Sequence, residues 1–138
     1  MKKYIFPVFA LFMALNAAGQ TLESNRVFTL HVIKVQLNPG ITTEEFSDFM
    51  NREFLPAWEK HYQGIEAILV RAIRGRNESE FGWINYYDSV EELQKFYPEA
   101  GKKSDLAREA EEKMKPMEEK LARYGKMRYA GYTTWLVQ

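Results

Sequence analysis

The sequence predicts an α+β fold with the element order β-α-β-β-α-α-β. Three observations predict it. Four runs are rich in β-branched and aromatic residues, the stretches between them repeat apolar residues at helical spacing, and Ser or Thr stands before each helical stretch as an N-cap. A length of 138 residues suits one domain. A 46% apolar content with three Trp, eight Tyr and nine Phe is enough for a packed core.

The first nineteen residues read as an address. Met1-Lys2-Lys3 is a short positive stretch, and Tyr4 to Leu15 follows as an uncharged apolar run. That run is too short to cross a bilayer, which needs ~20 residues, and it matches the apolar centre of a secretory signal. Asn16-Ala17-Ala18-Gly19 supplies the small residues of a cleavage site, so the mature chain is expected to start at Gln20 and to be exported to the periplasm or beyond. Residues 20–138 then form the single domain, with no membrane association after cleavage.

Val27 to Leu37 reads as the first strand, stopped by Asn38-Pro39-Gly40. Thr42 and Glu45 form a capping box that opens a helix. Phe46, Phe49, Met50, Phe54, Trp58 and Tyr62 form its aromatic stripe. Pro56 should kink this helix near Leu55, and Gly64 ends it. Ile65 to Arg74 is a second strand and Phe81 to Asp88 a third, joined by a polar hairpin loop from Gly75 to Ser79. Ser89 with Glu92 makes a second capping box before a short helix through Val90, Leu93, Phe96 and Tyr97, which Pro98 and Gly101 terminate.

Ser104 caps a longer helix from Asp105 to Tyr124, bent at Pro116 and closed by Gly125 just past its end. Glu109–Lys113, Glu111–Lys115 and Glu119–Arg123 are acid-before-base pairs four apart, the pattern of a solvated face. Met127 to Val137 is the last strand. Crossover rules fold these elements into one four-stranded antiparallel sheet with helices on one face, the ferredoxin-like split.

The first strand adds a quaternary expectation. Thr29, His31, Ile33 and Val35 share one face, and Phe28, Leu30, Val32, Lys34 and Gln36 share the other. A sheet covered by helices on one side normally turns a polar face outward. Here both faces carry apolar residues, which points to a homodimer that buries the second face.

These features resemble the dimeric α+β barrel superfamily, in which two ferredoxin-like sheets pack face to face. The pattern Lys34-x-x-x-x-Pro39-Gly40, followed by Tyr86-Tyr87-Asp88-Ser89 before a short helix, is similar to NIPSNAP-like and stress-responsive barrel proteins, and more distantly to antibiotic-biosynthesis monooxygenases. The resemblance covers nearly all of residues 27–137. It implies a small-molecule cavity between sheet and helices, and in some branches oxygenation without a metal or cofactor. Its cavity-side positions map onto His31 or Ile33 in the first strand, Trp83, Asn85 and Tyr87 in the third, and Tyr97 after the short helix. Haem-degrading relatives carry Asn, Trp and His at such places. Ile33, Tyr87 and Tyr97 stand at the nearest register here, a departure from that pattern.

His31 is the candidate general base, since an imidazole titrates near pH 6.5; the alternative is a buried histidine satisfied by neighbouring hydroxyls or carbonyls. His61 suits the end of a helix, where a cation meets the negative end of the dipole. Phe49, Trp58, Trp83 and Tyr87 either line a pocket for a flat ligand or form ordinary core. Lys34, Arg71, Arg74 and Arg76 form either an anion-binding rim or a solvated strand edge.

Other chemistries are excluded. Without cysteine there is no disulfide, thiolate nucleophile or thiolate zinc site, and two separated histidines make no metal centre. Nineteen basic against nineteen acidic side chains give no net charge with which to grip nucleic acid. No phosphate loop and no nucleophile elbow are present. Asn77-Glu78-Ser79 matches a glycosylation acceptor by pattern alone. Three functions remain: a small barrel binding an aromatic or apolar ligand, a cofactor-independent oxygenase using His31, and an interaction module without a ligand. The first is favoured, because no residue set has the spacing that catalysis leaves.

Overall fold

A computed structural model describes residues 24–76 and 80–138. The expected signal segment 1–19 and the acceptor pattern at 77–79 lie outside the described residues. Four strands form the sheet: β1 (Val27–Leu37), β2 (Ile65–Arg71), β3 (Phe81–Tyr87) and β4 (Gly125–Leu136). Their order is β2-β3-β1-β4 and every neighbouring pair is antiparallel. Helices α1 (Thr43–Phe49), α2 (Leu55–His61), α3 (Val90–Phe96) and α4 (Asp105–Leu121) complete the expected ferredoxin-like α+β fold.

Between α1 and α2 the chain does not simply kink. Met50–Phe54 forms a π-helical turn, in which the Leu55 N–H bonds to the Met50 carbonyl. Two causes converge there. Pro56 has no N–H to give an α-helical bond. The stripe Phe46, Met50, Phe54, Trp58 and Tyr62 also repeats every four residues, which outruns the 3.6-residue turn by ~40° per step. The wider π turn takes up that excess and keeps the stripe on the sheet. Phe46, Met50 and Tyr62 are accordingly sealed, and Phe49 and Phe54 almost so.

The capping box at Thr42 and Glu45 is complete in both directions. At Ser89 only half forms: the hydroxyl accepts from Glu92 N–H, while the Glu92 carboxylate turns to Lys95. Ser104 caps α4 through Ala107 N–H, and α4 continues unbroken through Pro116. Asn38 ties β1 to the end of α4, its amide donating to the Ala122 and Arg123 carbonyls at 2.9 and 3.0 Å.

Gly125 is not a helix terminator. It is the first residue of β4, and a Cβ there would stand 2.5 Å from the Gln36 carbonyl oxygen, so glycine permits the close approach of β4 to β1. The face away from the helices carries Phe28, Leu30, Val32, Ile84 and Trp135, with Trp135 stacked on Phe28 at 6.2 Å. Ile68 and Trp135 are 41% and 53% exposed on that face.

Candidate functional site

The helix-facing side of the sheet is sealed at one end by the aromatic stripe and open at the other. The open end is a cavity of about 800 Å³ between β1, β3 and β4 on one side and α2, α3 and the α3–α4 connection on the other. Strand register builds its floor in rows. Trp83, His31 and Tyr132 lie side by side across β3, β1 and β4, and Asn85, Thr29 and Thr134 form the next row.

A β-bulge shapes the β4 part of this floor. Val32 pairs with Gly131 and Ile33 with Tyr129, so Ala130 is an extra residue in β4. Residues three apart in a plain strand face opposite sides. The bulge instead turns both Tyr129 and Tyr132 to the cavity, where their rings stand 5.4 and 4.9 Å from His31. Strict alternation hides this pair from a sequence reading; Gly131 inside a strand is the one signal that points to it.

The polar groups of the floor are held by one another. The Trp83 indole N–H donates to Asn85 Oδ1 at 2.9 Å, a bond sealed from solvent. Asn85 and Thr29 are 3% and 1% exposed. With its oxygen engaged, Asn85 has its NH₂ left to donate; the residue lines the cavity with the Tyr87 phenol within reach. His31 Nε2 lies 3.2 Å from Thr29 Oγ1. Burial lowers the His31 pKa from its ordinary 6.5, because a desolvated imidazolium is disfavoured. At neutral pH it is an uncharged proton acceptor facing the cavity. Burial raises the Tyr87 and Tyr97 phenols well above the ordinary tyrosine range, so both remain hydrogen-bond donors.

Of the residues expected at the site, His31, Trp58, Trp83, Asn85, Tyr87 and Tyr97 surround the cavity. Ile33 and Phe49 do not. Ile33 is fully buried in the core, and Phe49 stacks on Tyr124 at 4.3 Å beneath the closed end of the sheet. The reason is that α1 lays Phe46 and Phe49 directly on the core, Phe46 against Phe81 at 5.2 Å and Phe49 against Tyr124, whereas the opening lies toward α3. Trp58 stacks on Tyr62 at 3.8 Å and meets Trp83 edge-on at 4.6 Å, joining the core to the cavity wall. Its indole N–H is buried without a hydrogen-bond partner among the described residues.

Helix α4 also departs from expectation. Glu109 pairs with Lys113, but Glu111 pairs with Lys103 and not Lys115, and both Glu111 and Glu118 line the cavity mouth. The other candidates lie elsewhere. His61 borders a smaller groove of about 360 Å³ between α2, α3 and α4. Lys34 pairs with Glu80 at 3.3 Å, and Arg71 ends the edge strand β2 with its guanidinium 5.9 Å from the Phe81 ring centre. Among the described residues no group of three or more His, Asp or Glu is placed to hold a metal ion, and no helix is long and apolar enough to cross a membrane.

No protein-family model and no curated protein matches the chain. Among solved structures it is similar to SnoaB, a cofactor-independent oxygenase from Streptomyces nogalater, at 13% identity and a TM-score of 0.43 over 83% of this chain and 95% of that one. It is also similar to a dimeric protein of unknown function and ferredoxin-like fold from Bacteroides fragilis, at 11% identity and a TM-score of 0.40, covering 82% and 97%. The fold of this chain rests on its own strand order.

Proposed function

We propose that the mature chain is an exported homodimeric barrel, akin to the NIPSNAP-like and stress-responsive barrel proteins, that binds a small flat aromatic ligand between sheet and helices. The observation that carries this reading is the cavity. Its volume of about 800 Å³ lies well above the ~300 Å³ at which small-molecule pockets begin. Its walls are indole and phenol rings that favour a flat partner, and its floor holds a fixed amide donor. A module serving only interaction would have no use for such a space.

Pairing through the outer sheet face follows from the two-sided apolar strands. Among the described residues nothing covers the exposed Trp135 or completes the burial of the half-buried Phe28, Leu30 and Val32, a shelter that a second molecule would supply. Strand β4 is also a twelve-residue edge strand, long for an unprotected edge.

Titration of the mature protein with naphthalene-, quinone- and phenol-based probes, followed by tryptophan fluorescence and calorimetry, tests the pocket. Saturable binding is expected, and Thr134→Trp, which fills the floor from an exposed position, weakens it at least about tenfold. Absence of saturable binding by any probe, or unchanged affinity in Thr134→Trp, counts against the reading.

A second reading has one observation in its favour: the uncharged His31 ring faces the cavity beside the Asn85 amide, an arrangement suited to taking a proton from a phenol and orienting its oxygen. Oxygen uptake with a quinol panel tests this cofactor-independent oxygenation. Turnover unaffected by His31→Ala removes His31 from the role of base.

A further inference from the structure

Charge at the cavity is unevenly distributed. Glu99, Glu111 and Glu118 line its mouth against a single ammonium, Lys103. That ammonium is already bonded to Glu111, and Glu99 is paired with Lys102. Glu118 has no ion-pair partner among the described residues. It stands seven positions after Glu111, two turns along the same side of α4, so both carboxylates overhang the opening.

Behind them the wall is aromatic. Tyr129, Tyr132 and Trp83 surround His31 on the sheet, and Trp58 and Tyr97 face them from the helical side. Ring faces carry negative charge density and attract an organic cation. The deep end differs: Asn85, almost wholly buried, presents an amide NH₂ whose carbonyl partner atom is already engaged. Glu111 and Glu118 both act on the Tyr129 phenol at the same opening, adding to desolvation in raising it.

We infer that the ligand is a flat aromatic cation, with a hydrogen-bond acceptor directed at Asn85 and an ammonium held at the mouth by Glu118 and the tyrosine rings. This rests on the pocket reading above and narrows its ligand class. Rings bearing carboxylates meet the carboxylates of α4 and are rejected.

Three probes sharing one ring separate the possibilities: 1-naphthylmethylammonium, 1-naphthylmethanol and 1-naphthoate, titrated calorimetrically into the mature protein at pH 7.5. The ammonium should bind about five- to thirtyfold more tightly than the alcohol, the range of one partly screened ion pair with one cation–π contact. The carboxylate should bind most weakly. Glu118→Gln, an exposed isosteric change, should bring the ammonium-to-alcohol ratio toward one, as should molar salt. Equal binding of ammonium and alcohol, or preference for the carboxylate, overturns the cation assignment and leaves the pocket standing. Binding of none of the three overturns both.

Discussion

Replacing Trp83 with Phe tests the internal support of the site. Trp83 is 2% exposed, meets Trp58 and Phe54 edge-on at 4.6 and 5.5 Å, and donates its indole N–H to Asn85 Oδ1 at 2.9 Å. The phenyl ring keeps most of the edge-on packing but removes the donor. A buried acceptor left unpaired costs about 1–3 kcal/mol, and the lost ring volume adds about 1 kcal/mol. A destabilisation of about 3 kcal/mol is therefore expected. Asn85→Leu strands the indole donor and should cost about 2 kcal/mol. In the double variant neither partner remains to be left unpaired. Its cost should fall short of the summed single costs by about 1–2 kcal/mol. Urea unfolding followed by circular dichroism measures all four proteins, at one fixed protomer concentration because association would shift the midpoint. Additivity within about 0.5 kcal/mol would refute the coupling, and with it the claim that Trp83 fixes the orientation of Asn85.

Three further outcomes follow from the structure. Gly125→Ala should cost about 1–3 kcal/mol in urea unfolding, because the new methyl meets backbone at 2.5 Å; at Gly82→Ala the close contacts, at 2.7 and 3.1 Å, are the side-chain ends of Val70 and Leu30, with backbone no nearer than 3.9 Å, and the cost should be less. A larger loss at Gly82 would contradict this. Ile68→Glu combined with Trp135→Glu places charge on the outer sheet face at exposed positions, so sedimentation should show a dimer converted to a folded monomer; identical sedimentation of variant and wild type would remove this face from the interface. His31 titrates below 6.5 when folded, so between the folded and unfolded values the unfolded chain binds the extra proton. Stability should hold above pH 6.5 and decline as pH falls through 6.5 toward the folded value, and His31→Gln should flatten that decline. An equal slope in both proteins would assign it to another group.

Order and type of the elements were legible because they depend on local rules. Alternation, helical spacing and turn residues act within a few positions, so β1, the Thr42 cap and the Asn38-Pro39-Gly40 turn stand where the residues require. Errors arose where a residue serves a distant partner. Gly125 looks like a helix stop and is instead a point of close approach to Gln36. Glu111 looks like the partner of Lys115 and reaches Lys103.

The site divides the same way. Parity along β1 and β3 put His31, Trp83, Asn85 and Tyr87 on one surface, and the structure sets them around the cavity. Ile33 shares that parity and lies in the core, since parity assigns a face and not a place along the strand. By itself the chain determined which side chains can share a surface, because the alternation of a strand and the turn of a helix are properties of the backbone. Only the tertiary structure decided which stretch of that surface stays open. That depends on where α3 and α4 come to rest and on one extra residue in β4, which turns Tyr129 and Tyr132 together toward His31.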